Sequence, residues 1–185
     1  MNLAQQIPVQ PDLTKIFAPG MRPGEPAGLR WTLRFLKVPG FAPVCGKLLL
    51  RWLPRCRDIR VAPGFRCLCG NIVAQDVSFN DTFLQDYADI VVGSGTSFSY
   101  QNLLLTASHD LEGDFRTIIA KSITIGRNVW ITSRVTVLGG ASIGDGSVIG
   151  AGSVVAGAIP SGVFAAGVPA KPVRSLKSSS CNRTQ

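Results

Sequence analysis

The sequence contains one histidine, His109, and that scarcity sets limits early. A structural zinc site needs four ligands, and one imidazole without a second closely spaced cysteine pair falls short of them. There are five cysteines, Cys45, Cys56, Cys67, Cys69 and Cys181, and no charged n-region followed by an apolar h-region. An odd set of free thiols in a reducing compartment, the cytoplasm, is therefore expected. Cys67 and Cys69 stand two apart, so on a strand they share a face and read as small apolar side chains. The sequence also lacks any run of about 18 apolar residues, which excludes a membrane-spanning helix.

Acidic residues are few, 11 against 19 Lys and Arg, for a net charge of +8. Such a balance suits an anionic partner: a phosphorylated cofactor, nucleic acid or an acidic membrane surface. No stretch interleaves cations and aromatics in the manner of a nucleic-acid platform, so nucleic acid is not an expected partner. The cations concentrate between Arg22 and Arg66, with smaller groups from Lys121 to Arg134 and from Lys171 onward.

Glycine is plentiful at 20 residues, without collagen triplets or low-complexity runs, which points to recurrent tight turns. A period of six accounts for them. From Ile125 the chain divides into IGRNVW, ITSRVT, VLGGAS, IGDGSV, IGAGSV and VAGAIP, each unit opening on an aliphatic residue: Ile125, Ile131, Val137, Ile143, Ile149 and Val155. Six fits neither the 3.6 of a helix nor the alternation of one long strand. It fits short strands joined by tight corners, stacked so that the aliphatic residues form ladders no single coil could bury. Weaker units precede the run, at Val61, Cys67, Val73 and Phe79 and at Val92, Phe98 and Leu104. One extra residue falls near Asp86, and a larger break separates Leu104 from Ile125. The polar stretch Asp110 to Lys121 is expected to leave the coil as a loop, a common carrier of function on a rigid scaffold.

Outside the coils, residues 1–27 are rich in Pro, Gln and Gly and read as an irregular arm. Leu29 to Lys37 and Cys45 to Leu53 have helical spacing and are split by Pro39 and Pro43. Pro160, Pro169 and Pro172 are expected to end regular coils, with a frayed tail from Ser175. The expected division is an arm and helical cap over 1–57, a coil domain over 58–160 and a C-terminal segment over 161–185.

With these units written out, SITIGRNVWI, ASIGDGSVIGAGSVV, IPSGVFAAGVPAKPVR and TASHD form an ordered series from about Phe65 to Arg174. The segment resembles the hexapeptide-repeat sugar O-acetyltransferases, which include galactoside, maltose, nodulation-factor and exopolysaccharide acetyltransferases. The resemblance implies a mainly β fold, a left-handed parallel β-helix of triangular section with a short N-terminal helical cap and a protruding loop. It also implies a homotrimer with active sites between neighbouring subunits, acetyl-CoA as donor, a sugar or glycan hydroxyl as acceptor, and no required metal.

The same resemblance assigns roles. His109 takes the position of the general base, which the chemistry needs because an alcohol is a poor nucleophile at neutral pH. Asp110 either orients the imidazole or caps the loop. Asn80 and Asp86 fall at or near acceptor-binding positions. Trp130 and Ser133 match positions beside the donor, with Thr132 where the family has Gly. Ala151, Ala156 and Gly157 match backbone contacts to the pantetheine arm, and Lys171 and Arg174 match contacts to the cofactor phosphates.

Alternatives stay open. A non-sugar acceptor, N-transfer, a longer acyl group or a catalytically silent scaffold all fit the repeat. The basic apolar segment holding Trp31, Phe35, Leu48, Leu49, Leu50 and Trp52 either caps the open first coil or makes peripheral membrane contact; the cap is the favoured reading.

Overall fold

The computed structural model describes residues 15–17, 27–35, 48–113 and 115–176. The expected arm apart from 15–17, Cys45, Cys181 and the tail beyond 176 lie outside them. Short strands follow one another around three parallel sheets in a constant order. The first face stacks Cys56–Arg57, Ile72–Gln75, Ile90–Val92, Ile123–Ile125, Ser142–Ile143 and Ala158–Ile159. The second stacks Arg60–Val61, Ser78–Phe79, Ser97–Phe98, Trp130–Ile131, Val148–Ile149 and Val163–Gly167. The third stacks Arg66–Cys67, Thr82–Gln85, Asn102–Leu105, Thr136–Leu138 and Val154–Val155. The result is a β-solenoid of five complete coils and a sixth that covers only the first two faces.

Each strand turns one side chain row inward, and the rows align. On the first face Cys56, Ala74, Val92, Ile125, Ile143 and Ile159 form one ladder. On the third, Cys67, Leu84, Leu104, Val137 and Val155 form another. On the second, Ile131, Ile149 and Ala165 continue a row begun by Phe79 and Phe98, whose rings stack with centroids 4.9 Å apart. All of these residues are buried in one core, where each large aliphatic contributes about 1.5–3 kcal/mol of hydrophobic stabilisation. Val73 keeps the six-residue phase yet faces out; Ile72 and Ala74 point in because their strand runs four residues in extended alternation. The two buried cysteines behave as apolar side chains. Burial raises the Cys56 thiol to about 11 and lifts Cys67 as well.

The corners depend on residues in the left-handed region. Along the edge between first and second faces they are Asp58, Asp76, Gly95, Asn128, Gly146 and Gly162, one per coil. From the second coil on, their amides donate to the coil before, as in Asp76 to Arg57, Gly95 to Asp76 and Gly146 to Arg127. Gln101, Arg134 and Gly152 make a matching column between second and third faces. Asp and Asn tolerate this conformation better than other residues with a Cβ, which explains their alternation with Gly.

The register identifies the interruptions. Thr136 pairs with Val154, 18 positions on, the regular step. Cys67 to Leu84 is 17 and Leu84 to Leu104 is 20, so the extra corner residues do lie beside Asp86. Leu104 pairs with Val137, 33 positions on, because the chain leaves the coil between them. The expected loop is a β-hairpin: Ala107–His109 pairs antiparallel with Ile118–Ala120. Lys15–Phe17 adds a third strand to that hairpin, so this part of the arm is regular rather than irregular. The prolines after Pro160 do not end regular structure either. Val163–Gly167 completes the second face, and Ala170–Ser175 folds back on it, with Pro172 accommodated at a register shift on this outer strand.

The helix Ala27–Phe35 and helical residues 48–52 cover the first coil. Leu29, Leu33, Leu49 and Leu53 join the core, and the Trp52 ring lies so close to Gly28 that a Cβ there would overlap it.

Coil spacing is set by glycine where backbones nearly touch. A Cβ on Gly93 would stand 2.6 Å from the Gly126 carbonyl carbon and 2.7 Å from the Arg127 nitrogen, both on the next coil. Gly93→Ala is expected to lower stability by about 1–3 kcal/mol through overpacking. Gly157→Ala, with nothing within 4 Å, should stay within about 0.5 kcal/mol of the parent. Urea unfolding of the two variants checks the contrast.

Candidate active site

The triangular prism has three long edges, and the candidate residues divide between two of them. His109 ends the first strand of the hairpin, which leaves the edge between third and first faces after the third coil. Its side chain is exposed. Ala156 and Gly157 form the corner on the same edge two coils further along, also exposed. Trp130 lies on the second face, 51% exposed, with its indole N–H donating to Ser99 Oγ at 3.1 Å. Ser133 and Ala151 occupy successive corners between second and third faces. Lys171 and Arg174 are exposed on the outermost strand of the second face, where the Arg174 guanidinium sits 5.7 Å from the Phe164 ring centroid. The third face therefore separates His109 from the Trp130 group within one chain.

Three carboxylate and amide positions have partners that define what they do. Asp110 Oδ1 accepts from the amides of Glu112 and Gly113, each at 3.1 Å, so its carboxylate caps the hairpin tip. Asn80 is half-buried at the corner after the second face and donates from Nδ2 to the Phe98 carbonyl at 2.8 Å, tying two coils together. Asp86 departs furthest from its expected place against an acceptor. It is fully buried, and its carboxylate accepts from Leu68 N at 2.8 Å, Cys69 N at 2.9 Å and Asn71 N at 2.7 Å. Three amides of the preceding corner occupy an anion that has no solvent face, which makes it a corner tie.

Thr106 was not singled out by its sequence, yet it holds the hairpin neck. Buried at 1% exposure, its hydroxyl donates to Gln85 O at 2.5 Å and accepts from Ala88 N at 3.2 Å, while its carbonyl accepts from Lys121 N at 2.8 Å. A polar residue three places before the histidine, where the aliphatic phase stops, was the available clue. Gly139 lies against this neck: a Cβ there would stand 2.6 Å from Thr106 O and 3.2 Å from Lys121 O. Thr132 uses its hydroxyl to donate to Ile149 O at 2.6 Å, so this side chain is tied to the next coil. Among the described residues no group of three or more His, Cys, Asp and Glu side chains could hold a metal ion.

A triangular solenoid of six-residue units, interrupted once by a hairpin carrying a histidine, defines the class of hexapeptide-repeat transferases. The pattern of the bacterial transferase hexapeptide (six repeats) matches residues 122–157. A putative acetyltransferase of Saccharomyces cerevisiae is 35% identical over 131 residues, 67% of each chain. The galactoside O-acetyltransferase of Escherichia coli is 39% identical over 102 residues, 54% of this chain and 50% of the relative. A hexapeptide-repeat acetyltransferase of Vibrio cholerae, solved with acetyl coenzyme A, superposes with a TM-score of 0.73 at 26% identity, covering 81% of this chain and 86% of that one. The chain belongs to the hexapeptide-repeat acetyltransferase family. It spans about half the length of the curated relatives it matches at 37–42% identity.

The burial of Asp86 makes a distinguishing prediction. Asp86→Ala leaves three amides of a buried corner without an acceptor and is expected to cost about 3 kcal/mol or more of stability. A variant that keeps the parent's urea midpoint but binds acceptor more weakly would return Asp86 to the acceptor site.

Proposed function

We propose that the protein transfers an acetyl group from acetyl-CoA to a hydroxyl of a sugar or glycan acceptor, with His109 as general base. The observation that carries this reading is an exposed, solitary histidine at the mouth of the hairpin, level with the coils that hold the Trp130 group. His109 takes the acceptor's hydroxyl proton as its oxygen attacks the thioester carbonyl. The tetrahedral intermediate then collapses, the carbon–sulfur bond breaks, and the imidazolium returns a proton to the departing thiolate.

The donor runs along the solenoid axis in this reading. Trp130 and Ser133 stand on the fourth coil, Ala151 on the fifth, and Lys171 and Arg174 beside the sixth. At about 4.8 Å per strand spacing, the three steps from the Trp130 strand to the basic strand span roughly 14 Å. The indole walls the pantetheine arm, small corner residues let it approach, and the two cations meet the phosphates.

The site is completed by a second copy of the chain. One edge of the third face carries His109 and the opposite edge carries Ser133 and Ala151. A trimer with third faces turned toward a threefold axis brings the His109 edge of each protomer against the other edge of its neighbour. The outward row of the third face suits that position, being largely apolar: Phe83, Leu103, Thr136 and Val154 follow one another in register.

Thiol release from acetyl-CoA with a panel of sugar acceptors tests the chemistry. His109→Ala should lower the rate by about 10²–10⁴-fold without changing the unfolding midpoint, and equal rates in the two proteins would sink the proposal. Co-expression tests the shared site. His109→Ala and Ala151→Trp should each be inactive alone, and their mixed assemblies should regain activity, because one interface then pairs an intact edge from each variant. Continued inactivity of assemblies shown to contain both chains would assign the site to a single protomer.

A further inference from the structure

Residues 26–57 contain no Asp or Glu and seven cations: Arg30, Arg34, Lys37, Lys47, Arg51, Arg55 and Arg57. The core uses only one side of this segment. Leu29, Leu33, Leu49 and Leu53 are buried against the first coil, and Thr32 spends its hydroxyl on Gly28 O at 2.8 Å. Closing the solenoid's open end needs nothing more, yet large apolar side chains remain on the outside. Trp31 is 58% exposed, Leu48 46% and Leu50 37%. The Arg34 guanidinium lies 5.9 Å from the Trp31 ring centroid, and Arg51 is exposed between Leu50 and Trp52.

We infer that the outer side of the cap docks on an anionic lipid bilayer surface. Exposed Trp and Leu beside cations, on helices far too short to span, are what a helix lying in the headgroup region requires. Among the described residues no helix is long and apolar enough to cross a membrane, so the contact is superficial. Charge complementarity is what names the occupant. Carboxylates near it stand among cations: Asp58 on the first coil lies between Arg57 and Arg60 in the chain, Asp76 lies 3.6 Å from Arg60, and Asp89, at the start of the third coil, is bridged to Arg55 at 3.1 Å. Docking by the cap also leaves the hairpin and the later coils facing away from the lipid, open from the side. In the trimer proposed above all three caps lie at one end of the assembly, so three weak contacts act together. The avidity rests on that trimer, whereas the lipid contact of a single cap does not.

The test is flotation of the full chain with vesicles of phosphatidylcholine containing phosphatidylglycerol, and with phosphatidylcholine alone. Recovery is expected with the anionic vesicles only, and high salt should release the protein. Arg34→Gln with Arg51→Gln should weaken partitioning by roughly 25-fold, about fivefold per charge. Trp31→Ala with Leu48→Ala and Leu50→Ala should abolish it while leaving turnover of a soluble acceptor unchanged. Brominated acyl chains should quench tryptophan emission of the unsubstituted chain, and Trp31→Phe should remove the quenched component. The inference is overturned if the chain stays in the aqueous fraction, floats equally with neutral vesicles, or shows no bromine quenching. Retention on immobilised nucleic acid without recovery on vesicles would overturn it in favour of another polyanion. Light scattering of the same preparations reports the trimer independently, so failure of the assembly and failure of the lipid contact are told apart.

Discussion

Everything in this molecule depends on backbone hydrogen bonds between one coil and the next. Isolated, a coil of six-residue units has no partner for its strands and no second layer for its aliphatic side chains. Stacking supplies both at once, but only if every corner turns at the same place. The column Asp58, Asp76, Gly95, Asn128, Gly146 and Gly162 secures this, since each left-handed residue after the first hands its amide to the coil before. Glycine is required for a different reason at Gly93 and Gly139, where the neighbouring backbone occupies the space a Cβ would need. Conformation and clearance together give the prism its straight edges.

Rigid edges let an interruption be placed accurately. The excursion after Leu105 costs the stack little, because Leu104 and Val137 pair across it as if nothing intervened. Thr106 closes its neck from below, and the hairpin gains a third strand from Lys15–Phe17. His109 thus projects from a small antiparallel sheet anchored on a parallel one. The cap answers the opposite need. The first coil has no predecessor, and Leu29, Leu33, Leu49 and Leu53 cover it, whereas the last coil is covered by its own chain folding back through Ala170–Ser175.

The ladders from Ile125 to Val155 could be read directly from the sequence because a buried row and a corner recur at fixed spacing. The first coils were harder. The step of 20 residues from Leu84 to Leu104 encloses Asp86, turned inward, and a carboxylate satisfied by three backbone amides has the same sequence appearance as one waiting for a ligand. Asn80 gives one N–H to Phe98 O, a coil-to-coil tie that likewise has no signature in the sequence. The strand at Lys15–Phe17 was invisible for a different cause: three residues in a Pro-rich arm carry no periodicity, and their pairing is decided by the hairpin edge they meet. Tertiary partners, unlike repeats, leave no local mark.

The unequal treatment of the two edges has a consequence for how such a molecule can change. Because the hairpin and the basic terminal strand sit on one stack, the separation between them is quantised: it alters only by whole coils, about 4.8 Å at a time. Adding or deleting a repeat of 18 residues would conserve every ladder and corner while moving the cationic strand past the histidine by one step. The solenoid is in this respect a ratchet-marked ruler, and in the reading proposed above the length of donor it would accommodate is written in its number of coils.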